Sequence, residues 1–158
     1  MRKNIYFIVI LLFALALQTV SLKSLRWFPD IVLLMVVFAG IFGGSVEGFV
    51  VGLIAGFFRG CFSVETMALD MVLFPVVGLI ASMLSRTIYA HNPLAQEITA
   101  VVAVLTVLTA HALYLGIPGE PGPGLSGMML SYWRPVLATV IVSPVVLGML
   151  KELLEFEE

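Results

Sequence analysis

Glycine recurs at every fourth residue from Gly40 through Gly44, Gly48, Gly52 and Gly56 to Gly60, inside an otherwise almost wholly apolar stretch. In water such a run would disfavour a helix, because each glycine costs roughly 1 kcal/mol relative to alanine. In a bilayer the backbone has no water to bond, so the helix persists, and small residues at this spacing let a second backbone approach closely. The ladder therefore places the chain in a membrane and its helices in tight contact. Composition agrees: hydrophobic residues make up 61% of the chain and charged residues 11%, against about 45–50% and about 25% in soluble domains. Mean hydropathy is +1.12.

The 158 residues read as a single integral membrane domain, 1–158. A net charge of −2 without a basic cluster argues against a nucleic-acid partner. Cys61 is the lone cysteine, so no internal disulfide forms, and its thiol is expected to pack as a small hydrophobe. Arg2 and Lys3 ahead of an apolar run have the grammar of a signal peptide, and Ala14-Leu15-Ala16 resembles a cleavage motif. The run continues to Leu22, however, long enough to span. An uncleaved first transmembrane helix is the preferred reading.

Six membrane segments are expected, at about 4–22, 29–43, 46–60, 67–85, 97–115 and 135–151. The second and third are short, so they read either as short spans or as a re-entrant hairpin. A single helix from Pro29 to Gly60 would reach nearly 50 Å, so a break is expected at Gly43-Gly44-Ser45. Pro29 and Asp30 mark the start of the second segment, and Trp27 and Phe28 fit an aromatic belt. Pro75 and Pro144 should kink segments four and six. The loop 116–127 is expected to lack regular structure, with Met128–Tyr132 along the interface before the last span. Positive charges fall almost equally on the two sides, so charge alone does not orient the bundle. An even number of spans puts both termini on one side.

Chemistry-bearing groups are scarce. There is no H-E-x-x-H zinc pairing and no cofactor motif, and His91 and His111 lie in different segments. His111 reads as a hydrogen-bonded or snorkelling helix-end residue rather than a catalyst, and no catalytic residue is assigned. Glu47 and Glu97 sit at segment starts, where the helix dipole accounts for them. The densest polar group is Arg59, Glu65 and Asp70, bracketing the turn between segments three and four. A salt-bridge clasp fixing that turn is the plainer reading; a pocket for a solute or a partner's polar side chain is the other. Thr99, Thr106 and Thr109 form a mild polar stripe. The face of Gly48, Gly52, Gly56 and Gly60 drifts by about 40° per step. It is open to internal packing or to docking of another protein's transmembrane helix.

The order of features resembles the rod shape-determining MreD family. A short basic N-terminus and first span lead to Pro29-Asp30 and the aliphatic run IVLLMVVF. The segment EGFVVGLIAGFFRG follows, then MALDMVLFPVVGLIASMLSR ending on Arg86, and the short loop HNPLAQE. One departure is Arg59, which stands where related proteins commonly carry an acid, so a role assigned to that acid does not carry over. The resemblance implies an all-α, polytopic bundle of about six transmembrane helices, similar to substrate-binding subunits of energy-coupling-factor vitamin transporters. It implies a multi-pass protein of the bacterial inner membrane with both termini cytoplasmic. It also implies a non-catalytic scaffold of cell-wall elongation that needs no cofactor. Such a scaffold binds the bitopic protein MreC and links MreB filaments to RodA and its penicillin-binding transpeptidase. The alternative is a solute-binding subunit of a vitamin-type transporter, its pocket capped by loop 116–134 with Tyr132, Trp133 and Arg134.

Overall fold

A computed structural model of the chain describes residues 2–21, 29–62, 66–87, 92–115 and 125–155. Six α-helices account for nearly all of them: α1 (Arg2–Ser21), α2 (Ile31–Phe38), α3 (Gly44–Phe62), α4 (Met67–Thr87), α5 (Pro93–Leu115) and α6 (Leu125–Glu155). A π-helical turn, Ala39–Gly43, extends α2.

The expected break falls at Gly44, whose φ of 86° lies in the left-handed region that favours glycine. It reverses the chain. A Cβ built on Gly48 would stand 2.8 Å from the Cα of Gly40, whereas eight residues along one straight helix separate two atoms by about 12 Å. The second and third segments are therefore an antiparallel hairpin.

α2 is the centre of the bundle. Its run has no polar face, and a helix that is apolar all round must be buried. Val32 through Phe38 are between 0 and 5% exposed, enclosed by the other five helices. Outward faces are equally apolar: Phe49, Leu53 and Phe57 on α3 and Ile141, Val145 and Met149 on α6 are exposed. Those faces meet hydrocarbon.

Among the described residues, four stretches are long and apolar enough to cross a membrane: Ile31–Cys61, Met67–Arg86, Pro93–Tyr114 and Trp133–Leu153. The first contains the reversal at Gly44, and α2 with its π turn covers only about 20 Å of a core about 30 Å thick. In α1 the apolar stretch that qualifies among the described residues is the shorter Val9–Gln18. The fold is thus an all-helical membrane bundle, while six full spans are more than these lengths support.

Several expected boundaries move. α5 begins at Pro93 because Asn92 caps it: Oδ1 of Asn92 accepts from the Leu94 N–H at 3.0 Å. Glu97 therefore lies a turn inside α5, where Ser143 of α6 donates to its carboxylate at 2.7 Å. α6 begins at Leu125, so Met128–Tyr132 continue the last helix, and Pro135 joins Pro144 inside it. Residues 116–124, with most of the expected loop, lie outside the described residues. Cys61 is exposed rather than packed.

Candidate functional site

The glycine ladder positions the site. Gly48 faces Gly78, Gly52 faces Phe74, Gly56 faces Asp70 and Gly60 faces Met67, so α3 and α4 run antiparallel, with matched four-residue steps from Gly48 to Gly56 and a three-residue step on α4 at the last. A Cβ at Gly52 would lie 2.5 Å from the Phe74 carbonyl oxygen. At Gly56 and Gly78 it would collide with the carbonyl oxygens of Asp70 and Gly48. Gly40 joins at the upper end, where a Cβ would reach 2.5 Å from the Gly78 oxygen. Three backbones thus converge on Gly40, Gly48 and Gly78. The ladder's face is filled by α4, so internal packing is what it does here.

Close approach at Gly56 and Gly60 brings Arg59 of α3 next to Asp70 of α4, with Nε 3.8 Å from Oδ2. The same guanidinium pairs through Nη1 with Oδ2 of Asp30 and lies 5.1 Å from the centre of the Phe74 ring. Asp30 is the N-cap of α2: its Oδ1 accepts from the Leu33 N–H and from Nε2 of Gln18 on α1, both at 3.0 Å. Its own N–H donates to Oγ1 of Thr139 at 2.8 Å, and that hydroxyl donates onward to the Pro135 carbonyl at 2.7 Å. Oε1 of Gln18 accepts from the Val32 N–H at 3.4 Å.

The C-terminal turns of α1, α3 and α5 therefore meet the N-terminal turns of α2 and α4 at one end of the bundle. Consecutive helices alternate in direction. Burial would push the Asp30 carboxyl up, but the Arg59 charge and the bonds from Arg59, Leu33 and Gln18 outweigh it. They hold the group below its ordinary value of 3.8. Asp30 is ionised at neutral pH.

Asp70 is 1% exposed. Its Oδ2 also receives the Thr66 hydroxyl at 3.3 Å, and its Oδ1 stands 3.2 Å from Nε2 of His111 on α5. That contact has the distance of an ion pair without the alignment of a hydrogen bond, and Oδ1 has no donor among the described residues. Beside these groups lies a cavity of about 120 Å³, lined by Gln18, Asp30, Arg59, His111 and Thr139 with apolar residues of α5 and α6. No three His, Cys, Asp or Glu side chains converge as a metal set among the described residues.

Of the polar group expected from sequence, Arg59 and Asp70 are brought together, and Glu65 lies outside the described residues. Asp30, Gln18, Thr139 and His111 complete the site, and sequence reading assigned none of them to it. Asp30 carried a signal, since an aspartate at a helix start is a capping residue; that it also pairs with an arginine 29 positions on depends on the hairpin. The threonine stripe on α5 does not form a seam. Thr99, Thr106 and Thr109 each donate to a carbonyl of their own helix at 2.8 Å.

The pattern of the whole chain has a match. The family model described as "5TMR of 5TMR-LYT" matches residues 1–150. The chain belongs to that family. It is a multi-span membrane protein, and the helical bundle above is the form this 5TMR sequence takes. No curated protein and no solved structure matches the chain.

Proposed function

We propose that this chain is a non-catalytic membrane scaffold of the cell-wall elongation machinery, of the MreD kind, held in the bacterial inner membrane with both termini cytoplasmic. It binds an MreC-like bitopic protein, and through it connects MreB filaments to RodA and the penicillin-binding transpeptidase. The observation that carries this reading is the state of the polar site. Around Asp30, side chains from four helices spend their hydrogen bonds on one another. The adjoining cavity of about 120 Å³ is well under the 300–1,000 Å³ or so of small-molecule pockets. Such a site fixes helices relative to one another, as a docking platform requires. The resemblance of the Pro29-Asp30 segment and the glycine segment to MreD supplies the partner. Because α4 covers the glycine face, the partner helix docks on the lipid-facing surfaces instead.

The test is co-expression with the host's MreC-like protein and purification through a tag on this chain alone. A stoichiometric complex that survives size exclusion supports the reading. A chain that elutes alone, while other membrane complexes persist in the same detergent, removes it.

A second reading is a solute-binding subunit of a vitamin-type transporter, favoured by the presence of Arg59 and His111 on the cavity wall. It requires a saturable rise in the melting temperature with a vitamin-sized ligand. The cavity volume ranks it below the first.

A further inference from the structure

Around Asp30 the acceptors outnumber the donors. A carboxylate offers about four lone-pair sites. Three donors reach Asp30 among the described residues: the Leu33 N–H and Nε2 of Gln18 at Oδ1, and Nη1 of Arg59 at Oδ2. One site on Oδ2 is left over. The Thr139 hydroxyl accepts the Asp30 N–H and gives its own hydrogen to the Pro135 carbonyl, which leaves it one lone pair as well. Asp30, Thr139 and Pro135 all line the cavity of about 120 Å³. Charge leans the same way. Arg59, the guanidinium on the wall, is divided between two acidic side chains, Asp30 and Asp70. Gln18 and Thr139 are neutral, and His111 is engaged at Nδ1 with the Val107 carbonyl of its own helix.

Such a lining suits a group that donates only and carries positive charge. A primary ammonium has three donors and no acceptor. The cavity sets its size: about 150 Å³ accommodates benzene, so this volume admits a two-carbon ammonium and little more. Its position sets the rest of the ligand. The side chains of Asp30 and Arg59 are 17% and 24% exposed, so the cavity opens at the surface. It lies at one end of the bundle, with the apolar part of its wall supplied mainly by α5 and α6. Leu113 and Leu137 of those two helices are exposed to hydrocarbon. Helix ends are where phospholipid headgroups stand. Trp133 and Arg134 immediately precede Pro135, with the guanidinium 5.5 Å from the Trp133 ring, and offer a lipid phosphate an interfacial cation.

We propose that the cavity is a headgroup site for an aminophospholipid. The ammonium of one phosphatidylethanolamine donates to Oδ2 of Asp30 and Oγ1 of Thr139, and its acyl chains lie along the outward faces of α5 and α6. The site does not rest on the scaffold reading, since the lipid takes the same place in a transporter subunit.

The test uses the full chain, purified in detergent and stripped of lipid. It is mixed with equal amounts of phosphatidylethanolamine, phosphatidylcholine and phosphatidylglycerol of identical acyl chains, and one-to-one adducts are counted by native mass spectrometry. Phosphatidylethanolamine should be retained about tenfold over phosphatidylcholine, whose quaternary nitrogen has no hydrogen to give to a charged acceptor. Leu108→Trp fills the cavity from α5, takes no part in the polar network, and should bring the three lipids level. A second series does not depend on that variant folding: successive N-methylation of the headgroup should lower retention by the wild type step by step. Free ethanolamine separates headgroup from lipid, and at millimolar concentration it should leave the adduct in place, because the acyl chains contribute to binding. Equal retention of the three lipids overturns the proposal. So does a preference that survives in folded Leu108→Trp, or displacement of the lipid by free ethanolamine, which would assign the site to a soluble amine.

Discussion

Two contacts between α3 and α4 hold the same pair of helices by opposite means. Along Gly48, Gly52 and Gly56 the contact is backbone against backbone, with no side chain between. One turn further, Arg59 reaches from α3 to Asp70 and on to Asp30, so the contact there is made by charged side chains. The glycine region gains dispersion contacts because nothing intervenes. The charged region works only because each group has a counterpart, since an isolated charge near membrane depth is costly. The difference predicts distinct sensitivities: the seam fails when any atom is added, and the charged end fails when one member is taken away.

Arg59→Ala should break the comparison most severely. It leaves Asp30 and Asp70 without their shared cation, a loss of about 3–5 kcal/mol. The check is chemical or thermal unfolding in detergent; a loss below about 1 kcal/mol would show the ion pairs to be incidental. Gly78→Ala comes next. Its methyl would meet the Gly48 carbonyl oxygen, and overpacking of about 3 kcal/mol less a helix-propensity gain of about 1 leaves a net loss of about 2 kcal/mol. An unchanged midpoint would mean that α3 and α4 separate more easily than the seam implies.

Thr139→Val should have a smaller effect, because it strands the Asp30 N–H while keeping the volume. A loss of about 1–2 kcal/mol is expected, and no change would place a water at that N–H. Gly148→Ala is the smallest and has the opposite sign. No atom lies within 4 Å of a Cβ there, so α6 should gain up to about 1 kcal/mol. A loss at Gly148 would place an unexpected neighbour on that face.

Much of this architecture is legible in the residues. The membrane, the helical class and the reversal at Gly43-Gly44-Ser45 follow from hydropathy, length and the backbone freedom of glycine. Even the pairing of Arg59 with Asp70 is near enough in sequence to be expected as a clasp. The residues alone leave the occupant of the glycine face open, because a ladder of small residues states that something approaches closely without stating what. The register of α3 against α4 answers that.

Asp30, Gln18, Thr139 and His111 are the clearest case of what only the tertiary structure decided. Each is unremarkable in its own segment: a cap, a polar residue in the last turn of α1, a threonine bonded to its own helix, and a histidine near a helix end. They become one site because the hairpin at Gly44 returns α3 alongside α2 and because α5 and α6 close around the pair. Hydrophobic periodicity, a local property, determined that these residues lie in helices within a bilayer. Which polar groups share a cavity depends on helix order and register, and those are set by long-range packing that no single segment encodes.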